Sequence, residues 1–405
     1  MVMNPIERDA RIQATDVLRG FALLGVLLLN ILGFGLHSAA YFNPLIAIGE
    51  TETSRLLNLG SWASTSVFFE GAMRCLFSLL FGAGVVLFTR KRKSGTGWPY
   101  VRRHVWLLVF GLIDTFLLLW HGDILMVYAV AGVLLYPLRN YSARRLLITS
   151  TVLMLLTALI NAGLAYGLHH ARMTDDVIWT DFENQNNPPE DSYDAELMAR
   201  GDSYSSAFAW TAGHMVDFFL FVYPPMFLPD ALAMMIFGMA LFKLDAFHLS
   251  WSTRAYVTLA GTGFGVGLIT NLWELQLALS SEFDLLSTFP LFIPTYHVGR
   301  LGMGCGYLGA VMLLCKLNIF CGLRGALAAV GRLALTNYLM QSLICVVIFT
   351  GWGFALVGTF ERWQLYLLVV AIWAFQLWFS SWWLSHYRFG PTEWLWRTLT
   401  YGRRP

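Results

Sequence analysis

Asn337 and Gln341 stand four residues apart in the apolar stretch GRLALTNYLMQSLICVVIFT (331–350), long enough to cross a bilayer as a helix. That spacing sets both amides on one helical face, with Arg332 near it about one turn earlier. Side chains of this kind are costly in hydrocarbon unless they meet a partner or water, so the polar face turns inward. Other apolar runs carry groups able to complement it. Asp16 and Arg19 are three apart at the start of the first run, and Glu70 and Arg74 are four apart in the second. Each pair is either an ion pair locking helices or part of a site. Asp114 lies in the middle of the third run, where a carboxylic acid must be protonated, paired or wet, and is a functional candidate by default. His121 and Asp123 sit at the turn that follows, and His297 and Arg300 are one turn apart at the head of a later run. A histidine beside a carboxylate at a membrane face can serve as general base, which also brings in His37.

The elements that must position these groups are membrane helices. Of 405 residues 57% are hydrophobic and only 13% charged, about half the share of charge in a soluble domain. Apolar runs of spanning length recur from end to end. The expectation is an all-α, polytopic bundle of about ten spans in the inner (plasma) membrane, its partner the lipid bilayer. The first run follows a polar, charged segment and is too long for a signal-peptide core, so no cleaved leader is expected. The net charge of +2 is dispersed over short loops and points to no nucleic acid. Cys75, Cys305, Cys315, Cys321 and Cys345 fall in or beside apolar runs at no metal-like spacing, so neither disulfide nor metal is expected.

In chain order the spans are read as about 17–36, 64–88, 105–120, 124–138, 146–168, one from about 229, 254–277, 294–315, 331–350 and 364–384. Residues 169–204 are polar and acidic and read as the longest loop, partly disordered. Pro224, Pro225 and Pro229 break residues 205–244 into a half-inserted segment followed by a span. The division is into an N-terminal half, 1–228, and a C-terminal half, 229–405. With both termini in the cytoplasm, the Lys/Arg-rich connections all fall on one side, including the run RKRKSGTGWPYVRR, and the acidic ones on the other. GTGFGVG (261–267) and GMGCGYLG (302–309) lie inside apolar spans with no strand before them, so they read as glycines that let helices approach closely.

DVLRGFALLGVLLLNILGFG, FSLLFGAGVVLF, LLLWHGDILMVYAVAGVLLYPLR, the 331–350 stretch and RFGPTEWLWRTLTYG occur in order over nearly the whole chain. Together they resemble the YeiB-like family, whose C-terminal part is known as domain of unknown function 418. The opening motif also resembles the wider transmembrane acyltransferase group that includes heparan-alpha-glucosaminide N-acetyltransferase. There an Asn follows the D-x-x-R-G glycine by ten residues, as Asn30 follows Gly20 here. The resemblance implies a catalytic His in the outer loop after it. The corresponding position here falls near Tyr41, the nearest His is His37, and Asp114 stands where relatives commonly carry a His.

Arg19, Arg102, Arg103, Arg324, Arg332 and Arg388 lie toward the cytoplasmic side of this topology, and His37, His121 and His297 toward the outer side. Clustered guanidinium groups suit a phosphate-bearing acyl-CoA donor, while an outer His suits activation of a hydroxyl or amine on a small-molecule, glycan or lipid acceptor. The expected catalytic set is His37, Asn30, Asp114, His121 and Asp123. The expected substrate-binding set is Asp16, Arg19, Glu70, Arg74, His297, Arg300, Arg332, Asn337 and Gln341. A transporter or flippase is the alternative, favoured by the Pro-broken segment and opposed by the lack of an evident inverted repeat. A homo-oligomer is compatible with either.

Overall fold

The computed structural model describes every residue except 1–4, 47, 48, 50, 91–96 and 403–405. Residues 91–96 of the basic run expected to fix topology after the second span thus lie outside the described residues. The elements are α1 (Pro5–Gly35), α2 (Glu52–Phe68), α3 (Ala72–Arg90), α4 (Gly97–Leu112), α5 (Leu125–Leu135), α6 (Ala143–Met173), α7 (Val177–Asn186), α8 (Glu190–Asp202) and α9 (Tyr204–Asp217). They continue with α10 (Leu228–Lys243), α11 (Thr253–Ser280), α12 (Leu285–Thr288), α13 (Tyr296–Lys316), α14 (Cys321–Arg332), α15 (Ala334–Phe349), α16 (Arg362–His386) and α17 (Pro391–Tyr401). Among the described residues there is no strand.

Seven stretches are long and apolar enough to cross a membrane, and the bent pair α14–α15 would make an eighth. α1 is apolar on nearly all sides and is accordingly central. Leu18, Leu23, Leu27 and Ile31 have no exposed surface, and the helix packs on α3, α13, α14, α15 and α16. α6, α11 and α16 are peripheral and leave Leu159, Ile269, Leu367 and Trp378 bare, as lipid-facing helices do. One buried cluster runs from Ala14 to Ile372, across the 228/229 division.

The two glycine runs face each other. α11 and α13 form the most extensive helix pair, and a Cβ on Gly263 would meet the Gly306 backbone nitrogen at 2.5 Å. Gly302 stands against Gly267 in the same way, so close backbone packing is what these glycines provide. The pair α1–α14 has the same device, since a Cβ on Gly20 would overlap the Leu327 carbonyl.

Four expectations need correction. Pro224, Pro225 and Pro229 do not break residues 205–244: helix runs without a gap from Tyr204 to Lys243, in π form over Phe218–Phe227 with Pro224 and Pro225 inside it. The 331–350 stretch is not one helix: it breaks at Leu333, and α14 and α15 meet at 83°. The break is tolerated because its orphan backbone groups find partners. Glu393 Oε1, from α17, accepts the amides of Leu335 (2.7 Å) and Thr336 (3.0 Å), while Asn337 Nδ2 donates to the Val330 carbonyl (3.3 Å). Arg332 therefore lies exposed on the far side of the break from Asn337, not near its face.

The acidic stretch 169–204 is mostly helical rather than disordered. Asp176 and Ser203 cap α7 and α9, and Arg200 clasps the C-terminal end of α1 by donating to the carbonyls of Gly33 (2.6 Å), Phe34 (2.7 Å) and Leu36 (2.7 Å). Finally, the second span does not begin at residue 64 as one helix. A turn at 69–71, with Gly71 at φ +66°, separates α2 from α3. Glu70 lies in the turn and Arg74 in the first turn of α3.

The α11–α13 seam makes a sharp test. Gly263→Ala forces two backbones apart and should lower stability by about 1–3 kcal/mol. Gly265→Ala, which points into open space, should leave stability at or above wild type. Thermal unfolding of the purified protein in detergent distinguishes the two.

Candidate functional site

The turn at 69–71 places Glu70 at the end of the bundle that carries the acidic segment. Its carboxylate accepts the hydroxyls of Tyr296 (Oε1, 3.0 Å) and Tyr41 (Oε2, 3.5 Å) and pairs with Arg74 at 3.6 Å. Arg74 Nη2 also donates to the Tyr296 hydroxyl at 2.6 Å, so that hydroxyl relays between cation and carboxylate. These groups come from three elements: the turn of residues 38–41, the start of α3 and the start of α13. Beside them is a cavity of about 70 Å³ lined by Tyr41, Glu70, Glu274, Tyr296, Arg300 and Arg362 among others.

Arg300 lines this cavity and His297 bonds to it, but neither is free for chemistry. Arg300 is 1% exposed and forms a bidentate pair with Asp230 in the first turn of α10. It also donates to His297 Nδ1 at 2.6 Å. The other ring nitrogen faces the Asn161 amide at 3.4 Å. Asn161 Oδ1 has no partner as placed, and turning the amide over would let Nε2–H donate to it. The expected outer base is thus part of the lock between α6, α10 and α13.

His37 is likewise committed. Nδ1 accepts the Ala39 amide at 3.1 Å, and Nε2 donates to Glu196 Oε2 at 3.1 Å. Glu196 also receives the Ser38 amide and hydroxyl and the Arg200 guanidinium. With both nitrogens engaged, the ring is a clip between α1 and α8 and not an available base. Burial lowers its pKa below the ordinary histidine value, Glu196 opposes that shift, and Arg200 adds to it.

His121 and Asp123 do not form the expected pair. His121 packs among the rings of Trp120, Trp210 and His214 at 5.1–5.5 Å. Asp123 accepts the Met126 amide (2.9 Å) and the Tyr338 hydroxyl (3.3 Å). Asp114 is completely buried in a π-turn, 113–117, beside Asp123 and Ser342, and neither of its oxygens completes a hydrogen bond. Asn30 is half-buried on α1 without a partner among the described residues. Asn337 and Gln341 bond to α16: Asn337 Nδ2 to Ser380 Oγ (2.9 Å), and Gln341 Nε2 to Gln376 Oε1 (2.9 Å). Their face is a polar seam between two helices.

The remaining predicted residues gather at the opposite, basic end. Arg19 pairs with Asp16 at 2.7 Å and stays one-third exposed. Arg332 is exposed near Asp16, and Arg103, stacked on Trp396 at 3.6 Å, lies near Arg19 and Arg397. No group of three or more metal-binding side chains occurs among the described residues.

Sequence reasoning missed Tyr296, Asp230, Arg362, Glu196, Arg200 and Glu393. Asp230, directly after Pro229 in an apolar run, carried a usable signal as an intramembrane carboxylate. The others lie in segments read as loop, tail or span edge.

Comparison with known proteins fits this architecture. Residues 241–403 match the family described as "Protein of unknown function (DUF418)". The chain is 31% identical to Escherichia coli YeiB over 95% of both chains. It is 30% identical to Bacillus subtilis YxaH, over 98% of this chain and 96% of that one. The chain belongs to the YeiB-like, DUF418 family of multi-pass membrane proteins.

Removing one member of the deepest ion pair should be costly. Arg300→Met leaves Asp230 buried without a counter-charge and should lower stability by about 3–5 kcal/mol, with Asp230→Leu in the same chain restoring much of it. Unfolding of the single and double variants reads this out. For His37 the folded pKa lies below the unfolded one, so its neutral ring contributes stability above pH about 6.5 that is lost as pH falls below it. His37→Gln should flatten that part of the stability–pH curve.

Proposed function

We propose that this YeiB-like protein is an acyl-CoA-dependent membrane acyltransferase. In this proposal the donor binds at the basic end and the hydroxyl or amine acceptor enters the Glu70 cavity. The supporting observation is the span of α1. Arg19 stands near one end of it, and Leu29 and Leu32 line the cavity at the other. The thirteen residue steps from Arg19 to Leu32 rise about 20 Å, a distance that an extended pantetheine arm can cover. Tyr41, near the position where the acyltransferases that the opening motif resembles carry a catalytic His, opens on the same cavity. By the positive-inside rule the basic end faces the cytoplasm, which suits a CoA thioester. Ten crossings then require α4 with its π-turn, and α5, to act as two short spans in the plasma membrane.

The chemistry follows from the groups present. Glu70 takes the proton of the acceptor hydroxyl or amine as its oxygen or nitrogen attacks the thioester carbon. The Tyr296 hydroxyl, polarised by Arg74, stabilises the oxyanion. Collapse breaks the C–S bond, the thiolate leaves and takes up a proton, and the acyl group remains on the acceptor. Leu23 and Leu27 now fill the space between the two ends, so the thioester arm must displace packed side chains of α1's neighbours. The cavity admits only the reacting end of an acceptor.

Transport is the second reading, because the 83° break in α14–α15 resembles the interrupted helices of carriers. Acetyl-CoA and longer thioesters offered to the purified protein should separate the two. At 100 times its dissociation constant a donor stabilises by about 2.7 kcal/mol, and Arg19→Ala or Arg332→Ala should remove the effect. Glu70→Gln should keep donor binding and lose about 100-fold or more in transfer. A flat response to every thioester from a folded protein would leave transport in its place.

A further inference from the structure

The Glu70 cavity contains two charges that the proposed transfer does not use. Arg362, at the head of α16, is 1% exposed. One Nη donates to the Ala40 carbonyl, while Nε and the other Nη have no hydrogen-bond partner. The neutral Tyr366 phenol is its side-chain hydrogen-bonding neighbour, and among the described residues no carboxylate pairs with it. Glu274 on α11, also in the cavity lining, accepts one hydrogen bond, from Thr295 Oγ1 at 2.5 Å, and among the described residues no cation pairs with it. The other charged groups on the walls are matched, Arg300 by Asp230 and Glu70 by Arg74. The cavity is thus left with a guanidinium and a carboxyl group that each lack a counter-charge.

We propose that this cavity is a binding site for a small zwitterion, its carboxylate on Arg362 and its ammonium on Glu274. A buried guanidinium without a counter-charge is strongly unfavourable, and a ligand carboxylate received bidentately removes that penalty. A simple anion would satisfy Arg362 but leave Glu274 unpaired and face Glu70. A simple cation would meet Arg362 at the wrong sign. Only a ligand bearing both charges answers both walls. The remaining lining includes Leu29, Leu32 and Ile293, which receive a short apolar substituent. The volume of about 70 Å³ admits a compact ligand and not a bulky one. The ligand class is therefore a compact α-amino acid, or an amino-acid-like end of a larger molecule. The geometry carries this whether the ligand is acylated or transported.

The test uses the full chain in detergent or nanodiscs, with no thioester present. Glycine, L-alanine and L-serine are the probes, with propionate and ethylamine as molecules that each lack one charge. Thermal unfolding should shift with L-alanine and not with either half-ligand at the same concentration. Arg362→Gln and Glu274→Gln should each weaken L-alanine binding about thirtyfold or more, and Glu274→Gln should now accept propionate. If Arg362→Gln does not fold, Glu274→Gln, at a half-exposed position, decides alone. No response to any of the three amino acids would overturn the proposal, as would an equal response to propionate in wild type or unchanged binding in the variants. Because the donor is absent, a protein that binds L-alanine but no thioester would retain this site while losing the acyltransferase.

Discussion

No backbone amide or carbonyl can be left bare in hydrocarbon, and the architecture depends on meeting that constraint wherever a helix stops short. Three places show how it is met. Arg200 reaches from the acidic segment to three carbonyls at the end of α1. Asn337 turns back to the Val330 carbonyl, and Glu393 takes two amides at the start of α15. In each case a charged or amide side chain stands in for the missing turn of helix. The polar residues that draw attention in the sequence are mostly spent in this way or in locking helix to helix. What remains unspent among the described residues includes groups at the cavity at one end, arginines at the other, Asn30 and the buried Asp114.

That division explains which features were legible in the sequence. The apolar runs of α1, α6, α11, α13 and α16 announced themselves by length and composition, because lipid imposes both directly. The two glycine runs were equally readable, since glycine in an apolar helix has few uses other than close approach. The break at Leu333 was not, because it is stabilised by Glu393, some sixty residues away, and no proline marks it. The same distance problem hid the Asp230–Arg300 pair and the role of Arg362. The acidic stretch misled through composition: its polar residues face outward, while Glu196 and Arg200 do their work buried.

The histidines make the point most clearly. His37, His121 and His297 were reasonable candidates by type and place, yet each is committed to a neighbour that only the folded chain supplies. His37 and His297 are held by hydrogen bonds, and His121 packs among rings, each against groups that the sequence does not place beside it. Glu70 and Arg74, read only as binding residues or a lock, prove to be joined through Tyr296 into the most connected polar group at the cavity. The catalytic role proposed for Glu70 therefore rests on tertiary geometry that residue spacing alone could not reveal.

The capping of α15 by Glu393 also sets an order on assembly. α15 is synthesised and delivered to the bilayer some sixty residues before its cap exists, so its first amides must wait, satisfied by water or by the insertion machinery, until α17 arrives. The bent segment cannot take its final angle during elongation, and α17 acts as a latch closed last. Maturation of this end of the bundle is consequently a post-insertion event, and a nascent chain arrested before residue 393 would hold a straight, shallow or partly wetted α14–α15 rather than the 83° bend.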